Sequence, residues 1–271
     1  MTPLRARLPL LGAFCAALAL LAPHAPAQDA VQGNVASVSP IACERVEWEG
    51  VPISTCRVPR SADIRIFQRR ADGRPLTHPR QARERLGDGE RLLMAMNAGM
   101  YHAELSPVGL YVEAGEVAAP LVTGAGPGNF GMVPNGVFWV DAEGAHVAET
   151  LAFQALGAAP TYATQSGPML VVGGELHPRF LPGSTSRKIR NGVGVGADGV
   201  VFAKTEAPIN FHAFARYFRD HEGAGEALFL DGTVSRMWSA ELGSTGRPLP
   251  IGPLVAVVGG VEAGRVEGAS D

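Results

Sequence analysis

Four short polar segments combine side chains capable of chemistry with an adjacent glycine. They are Asn97-Ala98-Gly99, Gln165-Ser166-Gly167, Arg190-Asn191-Gly192 and Asp231-Gly232. A carboxylate can act as a base or a nucleophile, a guanidinium can bind phosphate, and amides and hydroxyls can hold oxygen atoms of a ligand. Each segment begins or ends an apolar run, where a strand fixes the backbone and glycine lets a ligand approach. The pattern predicts one polar site at the ends of several strands.

Each segment also has a structural interpretation. Asn97 can cap a turn, Gln165 and Ser166 can satisfy buried backbone groups, and Asp231 can belong to a simple Asp-Gly turn. Four such segments in one chain favour a common site over four independent structural roles.

Apolar runs with strand character position these segments. Short hairpin connections such as Ala114-Gly115 and Gly173-Gly174 separate several of them. A helix is expected after Asn210, which can cap the apolar spacing of the following residues, with two more near 79–86 and 150–156. The predicted fold is α+β, with a mixed, largely antiparallel sheet and a few covering helices. The expected strands cover 54–58, 63–67, 91–97, 109–113, 116–122, 136–140, 168–172, 192–196, 200–204, 227–230 and 253–258.

The composition of the 271-residue chain excludes some classes of protein. With 46% hydrophobic and 18% charged residues it is globular rather than intrinsically disordered. A formal net charge of −3 argues against nucleic acid as a partner, because domains that neutralise phosphates are usually basic.

The N-terminus has the features of an export signal. Arg5 and Arg7 precede the apolar run 8–22, and Ala25-Pro26-Ala27 fits a cleavage site. A membrane anchor is the alternative, but the run is shorter than the ~20 residues that a spanning helix needs. Residues 1–27 are therefore predicted to be a signal peptide and 28–271 a single exported domain, periplasmic or secreted, with no membrane span after cleavage.

The cysteines support this interpretation. Cleavage would leave Cys43 and Cys56, and an even pair in an oxidising compartment is expected to form a disulfide. Closing this loop would contribute about 3 kcal/mol in the chain-entropy model.

Cofactor and metal signatures are weak. Residues 126–131 match G-x-G-x-x-G, but Pro134 and Asn135-Gly136 follow instead of the required helix. The histidines are scattered, without the spacing of metal ligands on a helix. Neither a cofactor nor a metal is expected.

The polar segments together resemble the phosphodiester glycosidase family, and within it a bacterial exported branch. The resemblance covers roughly residues 62–260 and implies hydrolysis of a sugar phosphodiester. Asn97, Gly99, Asp231, Gly232 and Ser235 match family positions, whereas the glycine-rich stretch expected after Asp231 is absent. The matching segments are Met94–Tyr101, Ser106–Leu110, Gly128–Gly131, Gln165–Pro168, Arg190–Gly194 and Leu230–Gly232.

The resulting hypothesis assigns roles to these residues. Arg190 would bind the phosphate, and Asp231 would act at the sugar as base or nucleophile. One carboxylate and one cation can suffice, because a phosphate leaving group needs less protonation than a sugar alcohol. His102 is a candidate general acid, with Glu104 as a weaker alternative. Substrate contacts are expected from Asn97, Gly99, Gln165, Ser166, Asn191 and Gly232.

Two other functions remain open at this point. A non-catalytic carbohydrate-binding module in polysaccharide assembly would use the same cleft without cleavage. A metal-dependent phosphoesterase is disfavoured for want of a ligand cluster.

Overall fold

The computed structural model describes residues 41–260, so the predicted signal peptide at 1–27 lies outside the described residues. The helical elements are a 3₁₀ helix at Pro79–Arg85, α1 at Thr150–Leu156, and α2 at Phe211–Arg216, which continues as a π-helical turn at Tyr217–His221. The strands are β1 Ala42–Trp48, β2 Val51–Val58, β3 Asp63–Phe67, β4 Glu90–Asn97, β5 Tyr111–Glu113, β6 Glu116–Ala119, β7 Gly136–Asp141, β8 Gly144–Glu149, β9 Tyr162–Ser166, β10 Met169–Val172, β11 Glu175–Leu176, β12 Asn191–Gly196, β13 Gly199–Thr205, β14 Ala224–Asp231, β15 Met237–Ser239, β16 Gly243–Thr245 and β17 Leu254–Gly260.

The strands form three sheets. Sheet 1 has the order β1-β2-β13-β12-β14-β10-β11, sheet 2 the order β16-β15-β4-β17-β3, and sheet 3 the order β6-β5-β9-β7-β8. All strand pairs within these sheets are antiparallel. The α+β class with largely antiparallel pairing is confirmed. The expected single sheet is instead three, because strand pairing is decided by tertiary contacts that local sequence patterns do not specify.

The inner faces of the three sheets meet in one shared core. Phe202 of sheet 1, Met96 of sheet 2 and Phe138 of sheet 3 are fully buried members of it. Each outer face is covered by a helical element: sheet 1 by α2 and its π-helical turn, sheet 2 by the 3₁₀ helix, and sheet 3 by α1. This arrangement buries both faces of most strands. Polar side chains that could act on a ligand are therefore expected at the strand ends.

Local signals in the sequence account for several boundaries. The Asn210 side chain accepts a hydrogen bond from the backbone N–H of Ala213, capping α2 as expected. Gly173 and Gly174 both have positive φ, which suits the tight turn from β10 to β11. Cys43 and Cys56 are directly opposed on β1 and β2 and form the predicted disulfide.

Candidate active site

Three side chains from two sheets form a hydrogen-bonded network. Asn97 ends β4 in sheet 2, while Asn191 begins β12 and Asp231 ends β14 in sheet 1. Asn97 Nδ2 donates to Asp231 Oδ2 at 2.6 Å, and Asn191 Nδ2 donates to the Asn97 backbone oxygen at 2.8 Å. The fold therefore unites three of the polar residues predicted from sequence, and we call this group the Asp231 network.

Backbone groups fix the orientation of both amides in the Asp231 network. Asn97 Oδ1 accepts from the backbone N–H of Arg236 at 2.9 Å, and Asn191 Oδ1 accepts from the backbone N–H of Asp231 at 2.7 Å. A backbone N–H can only donate, so each amide must turn its oxygen toward it and its NH₂ group the other way. Asn97 consequently presents a donor to the Asp231 carboxylate.

A β-bulge sets the position of Asp231. Asn191 pairs with Asp231 while the next residue, Gly192, pairs with Phe229, so Leu230 is an extra residue in β14. Bulges re-aim side chains and are common beside active sites.

The electrostatic environment of Asp231 raises the pKa of its carboxyl group. The main cause is burial, although the residue stays partly accessible to solvent. Hydrogen bonds from the Gly232 backbone and from Asn97, together with the nearby Tyr101 hydroxyl, act in the opposite direction. A carboxylate with a raised pKa is a stronger base than an ordinary Asp, and such groups cluster at functional sites.

Tyr101 is a neighbour of Asp231 that sequence reasoning missed. Its hydroxyl oxygen is buried and has no hydrogen-bond partner within the described structure that meets normal geometry, although it lies close enough to Asp231 to perturb the pKa of that carboxyl. Burial, followed by the charge of Asp231, raises the pKa of Tyr101. Gly252 makes room for the ring, since a Cβ there would lie 2.3 Å from Tyr101 Cγ. Nothing in the sequence separates this tyrosine from a core aromatic.

Arg190 directly precedes β12, and its side chain packs against Phe211 and Phe229 on the α2 side of sheet 1, whereas the Asn191 side chain contacts Asn97 of sheet 2. The residue is 2% exposed, and its guanidinium stacks 3.5 Å from the centroid of the Phe211 ring. Nε donates to the Ile209 oxygen and Nη2 to the Ser186 oxygen. Burial lowers the pKa of Arg190 to about 10.

Among the ion pairs of residues 41–260, none involves Arg190. A buried cation without a carboxylate is costly. Two of its five N–H groups are used by carbonyl oxygens, which leaves three on Nη1 and Nη2 for an anion.

Gln165 and Ser166 are used by the fold itself. Gln165 Oε1 accepts from the backbone N–H groups of Leu110 and Val122, and its Nε2 donates to Val122 and Thr150 oxygens. Ser166 Oγ donates to the Leu230 backbone oxygen at 2.7 Å. These contacts correspond to the structural interpretation and leave neither side chain directed at the Asp231 network.

Gly99 and Gly232 have different surroundings. A Cβ at Gly99 would lie 2.4 Å from the Gln165 backbone oxygen, so glycine is needed there for packing of β9 against the segment after β4. A Cβ at Gly232 would lie 3.8 Å from the Phe229 ring, within ordinary contact. Packing therefore does not require a glycine at position 232, next to Asp231.

His102 and Glu104 lie in the exposed turn that follows Tyr101. The turn is closed by backbone hydrogen bonds between His102 and both Ser106 and Leu105. A hydrogen bond from the Ser106 hydroxyl lowers the pKa of Glu104, which makes this carboxyl a poor proton donor. The structure brings neither side chain into the hydrogen bonds of the Asp231 network.

Ser235 also joins the network, through its hydroxyl contact with Asn191 Oδ1 at 3.3 Å. Within residues 41–260, no group of three or more His, Cys, Asp or Glu side chains is placed to hold a metal ion. In the same part of the chain, no helix is long and apolar enough to cross a membrane.

Comparison with known proteins defines the class of this fold and site. The sequence profile described as phosphodiester glycosidase matches residues 90–256, a span that contains the whole Asp231 network. The chain belongs to the phosphodiester glycosidase family and is a hydrolase of that type.

Three individual proteins are similar to this chain in sequence or in fold. The chain is 34% identical over 181 residues to the uncharacterized protein YigE of Escherichia coli K12, covering 66% of this chain and 71% of YigE. Its fold is similar to the catalytic domain of zebrafish N-acetylglucosamine-1-phosphodiester alpha-N-acetylglucosaminidase, auto-inhibited by its pro-peptide. That match has a TM-score of 0.56 and 13% identity, covering 80% of this chain and 81% of the other. A protein from Burkholderia pseudomallei described as exported matches with a TM-score of 0.52 and 13% identity, covering 77% and 74%.

Proposed function

We propose that this hydrolase is exported and cleaves a glycosyl phosphodiester in a surface or envelope glycan. The observation that carries the proposal is the Asp231 carboxyl group, whose pKa is raised by burial and whose position is fixed by Asn97 and the β14 bulge. The relationship to the phosphodiester glycosidase family supports the bond type. The Cys43–Cys56 disulfide supports an oxidising compartment.

Asp231 acts as the base in the proposed reaction. It removes a proton from a water molecule, whose oxygen forms a new bond to the anomeric carbon. The bond from that carbon to the phosphate oxygen breaks, and its electron pair leaves with the phosphate monoester. A phosphate is a weakly basic leaving group, so this route needs no strong general acid. The products are a free sugar and a phosphate monoester.

Arg190 binds the phosphate in this proposal. Its guanidinium is buried without a carboxylate partner in the described structure and keeps three N–H groups for an anion. The Phe229 ring lies under Arg190 and also within ordinary contact of the Cβ position at Gly232. In this proposal the phosphodiester lies along Gly232, which adjoins Asp231 in the chain and the Phe229 ring in the fold.

Hydrolysis of a synthetic glycosyl phosphodiester in ¹⁸O-labelled water tests the reaction. Label in the released sugar, with chelator present, is the expected result. Label in the phosphate would instead show attack at phosphorus, and saturable binding without any product would favour the carbohydrate-binding module.

The Asp231→Asn variant tests the role of the carboxylate. We expect a loss of about 10²- to 10⁴-fold in kcat, the usual contribution of a general base. Asp88→Asn is the matched control because Asp88 is an exposed carboxylate in a turn outside the site, and it should keep the wild-type rate. A folded Asp231→Asn enzyme with wild-type kcat would exclude Asp231 as the base.

The pH profile provides a second test. The base must be ionised, and burial raises the pKa of Asp231, so the rate should fall as pH drops through a value above the ordinary Asp pKa of about 3.9. An acid limb at or below the ordinary Asp pKa would contradict the assignment.

A further inference from the structure

A depression lies at the opposite end of β12 and β14 from Asp231. Its volume is about 510 Å³, and it is lined by residues of β7, β8, α1, β12, β14 and neighbouring loops. Asn191 and Asp231 pair at one end of these strands, whereas Gly196 and Ala224 pair at the other. A rise of about 3.3 Å per residue separates the ends by roughly 16 Å. We call this depression the Glu226 pocket.

Glu226 supplies an unsatisfied acceptor in this pocket. Its Oε1 accepts a hydrogen bond from the backbone N–H of Gly173 at 2.7 Å. Its Oε2 is buried and has no hydrogen-bond partner among residues 41–260. Burial raises the pKa of Glu226. A buried acceptor without a donor costs free energy that a ligand hydroxyl would recover.

Aromatic and aliphatic groups form another part of the lining. The His146 and Trp139 rings stack with their centroids 5.0 Å apart. Asp141 binds both rings, at 2.9 Å from Trp139 Nε1 and 3.1 Å from His146 Nε2, and so fixes their orientation. Leu156 adds an aliphatic side chain that is 65% exposed. The lining therefore combines the partly exposed His146 ring, held in place by Trp139 and Asp141, with the exposed Leu156 side chain and the Glu226 carboxyl group.

The charges in the pocket restrict its ligand. The Glu226 carboxylate contributes a negative charge. Arg60 also lines the pocket and donates to the Gly196 backbone oxygen, so the lining carries one charge of each sign and favours neither a cation nor an anion. A neutral sugar ring meets these conditions, since its hydroxyls donate hydrogen bonds and its C–H face packs on apolar and aromatic side chains.

We propose that the Glu226 pocket is a non-catalytic subsite for a neutral sugar ring of the glycan, remote from the bond that is cleaved. The choice of a glycan ligand rests on the proposed function, whereas the requirement for a hydrogen-bond donor at Glu226 does not. The pocket would hold a glycan chain by a part of it that does not react.

Calorimetric titration of the full chain with neutral trisaccharides of glucose, galactose, mannose and N-acetylglucosamine tests this subsite. We expect saturable binding of at least one trisaccharide, with a shift of the Trp139 indole N–H signal in NMR spectra. Glu226→Ala should weaken binding at least tenfold, because a hydrogen bond to a charged acceptor is lost. Glu241→Gln, which changes an exposed carboxylate outside the pocket, should have no effect.

Two further variants keep the test decisive if Glu226→Ala does not fold. Glu226→Gln retains an acceptor for Gly173, and His146→Ala removes the stacked ring; each should weaken binding.

Absence of trisaccharide binding, equal binding by folded variants, or binding of putrescine in place of sugars would overturn the subsite. An active enzyme that binds no trisaccharide refutes the subsite alone, whereas Glu226-dependent binding by an inactive protein refutes the proposed hydrolysis alone.

Discussion

Replacing Tyr101 by Phe should raise stability and lower activity. The buried hydroxyl has no partner of normal geometry in the described structure, and such a group costs about 1–3 kcal/mol. Phe keeps the ring that packs with the apolar cluster of sheet 2 and the 3₁₀ helix. We therefore expect the free energy of unfolding to rise by about 1 kcal/mol or more, and Tm by about 2–4 °C per kcal/mol for a domain of this size.

The same substitution removes a donor that faces Asp231 and the proposed substrate. In the proposed reaction the hydroxyl gains its partner only when the charged substrate is bound, and such a hydrogen bond contributes about 1.5–3 kcal/mol, so its loss corresponds to a fall of roughly 10- to 150-fold in kcat/KM. The Tyr101 hydroxyl lowers the pKa of Asp231. Its removal should therefore move the acid limb of the pH profile to higher pH.

Tyr111→Phe is the matched control for these measurements. The Tyr111 hydroxyl is also buried, but it donates to Glu113. Its loss should lower Tm and leave kcat/KM unchanged, so the two variants should change Tm in opposite directions in the same calorimetric scan. A drop in Tm for Tyr101→Phe, or an unchanged kcat/KM, would refute the reasoning.

Three other substitutions separate binding from structural roles. Arg190→Lys should raise KM at least tenfold, because an ammonium lacks the planar fork and the stack on an aromatic ring; an unchanged KM would exclude phosphate binding there. Gln165→Ala should lower the free energy of unfolding in urea by about 2–5 kcal/mol, whereas the exposed Gln154→Ala should change it by less than about 0.5 kcal/mol. Gly99→Ala should fail to give the native circular dichroism spectrum, because its Cβ would meet backbone at 2.4 Å, whereas Gly183→Ala meets nothing within 4 Å and should fold normally.

Individual elements were predictable because their signals are local. The helix at 150–156 matches α1, which Glu149 caps, and the strand at 63–67 matches β3, in which polar and apolar residues alternate. The partition into three sheets was not predictable. It depends on which strands pair across long stretches of chain, such as β4 with β17, and no local pattern encodes that choice.

The candidate site divides in the same way. Asn97, Asn191 and Asp231 were named from strand ends and glycines, and they meet in the structure. Residue type alone could not show that Gln165 is committed to backbone groups, because its partners lie 43 and 55 residues away. Nor could residue type show that Arg190 packs on the α2 side of sheet 1 while Asn191 contacts sheet 2.

The Asp231 network joins residues of two sheets that are far apart in the chain, so it should form late during refolding. Asn97 and Asp231 are 134 residues apart in the chain, and Asn97 and Asn191 are 94 apart. Contacts between residues this far apart in the chain form slowly, because the entropy cost of closing the loop comes before the favourable free energy of the contact. Hairpins such as β12–β13 need only local contacts and form early. After dilution from denaturant, hydrolytic activity should therefore recover later than the far-ultraviolet circular dichroism signal, and its recovery would report the docking of sheet 1 onto sheet 2.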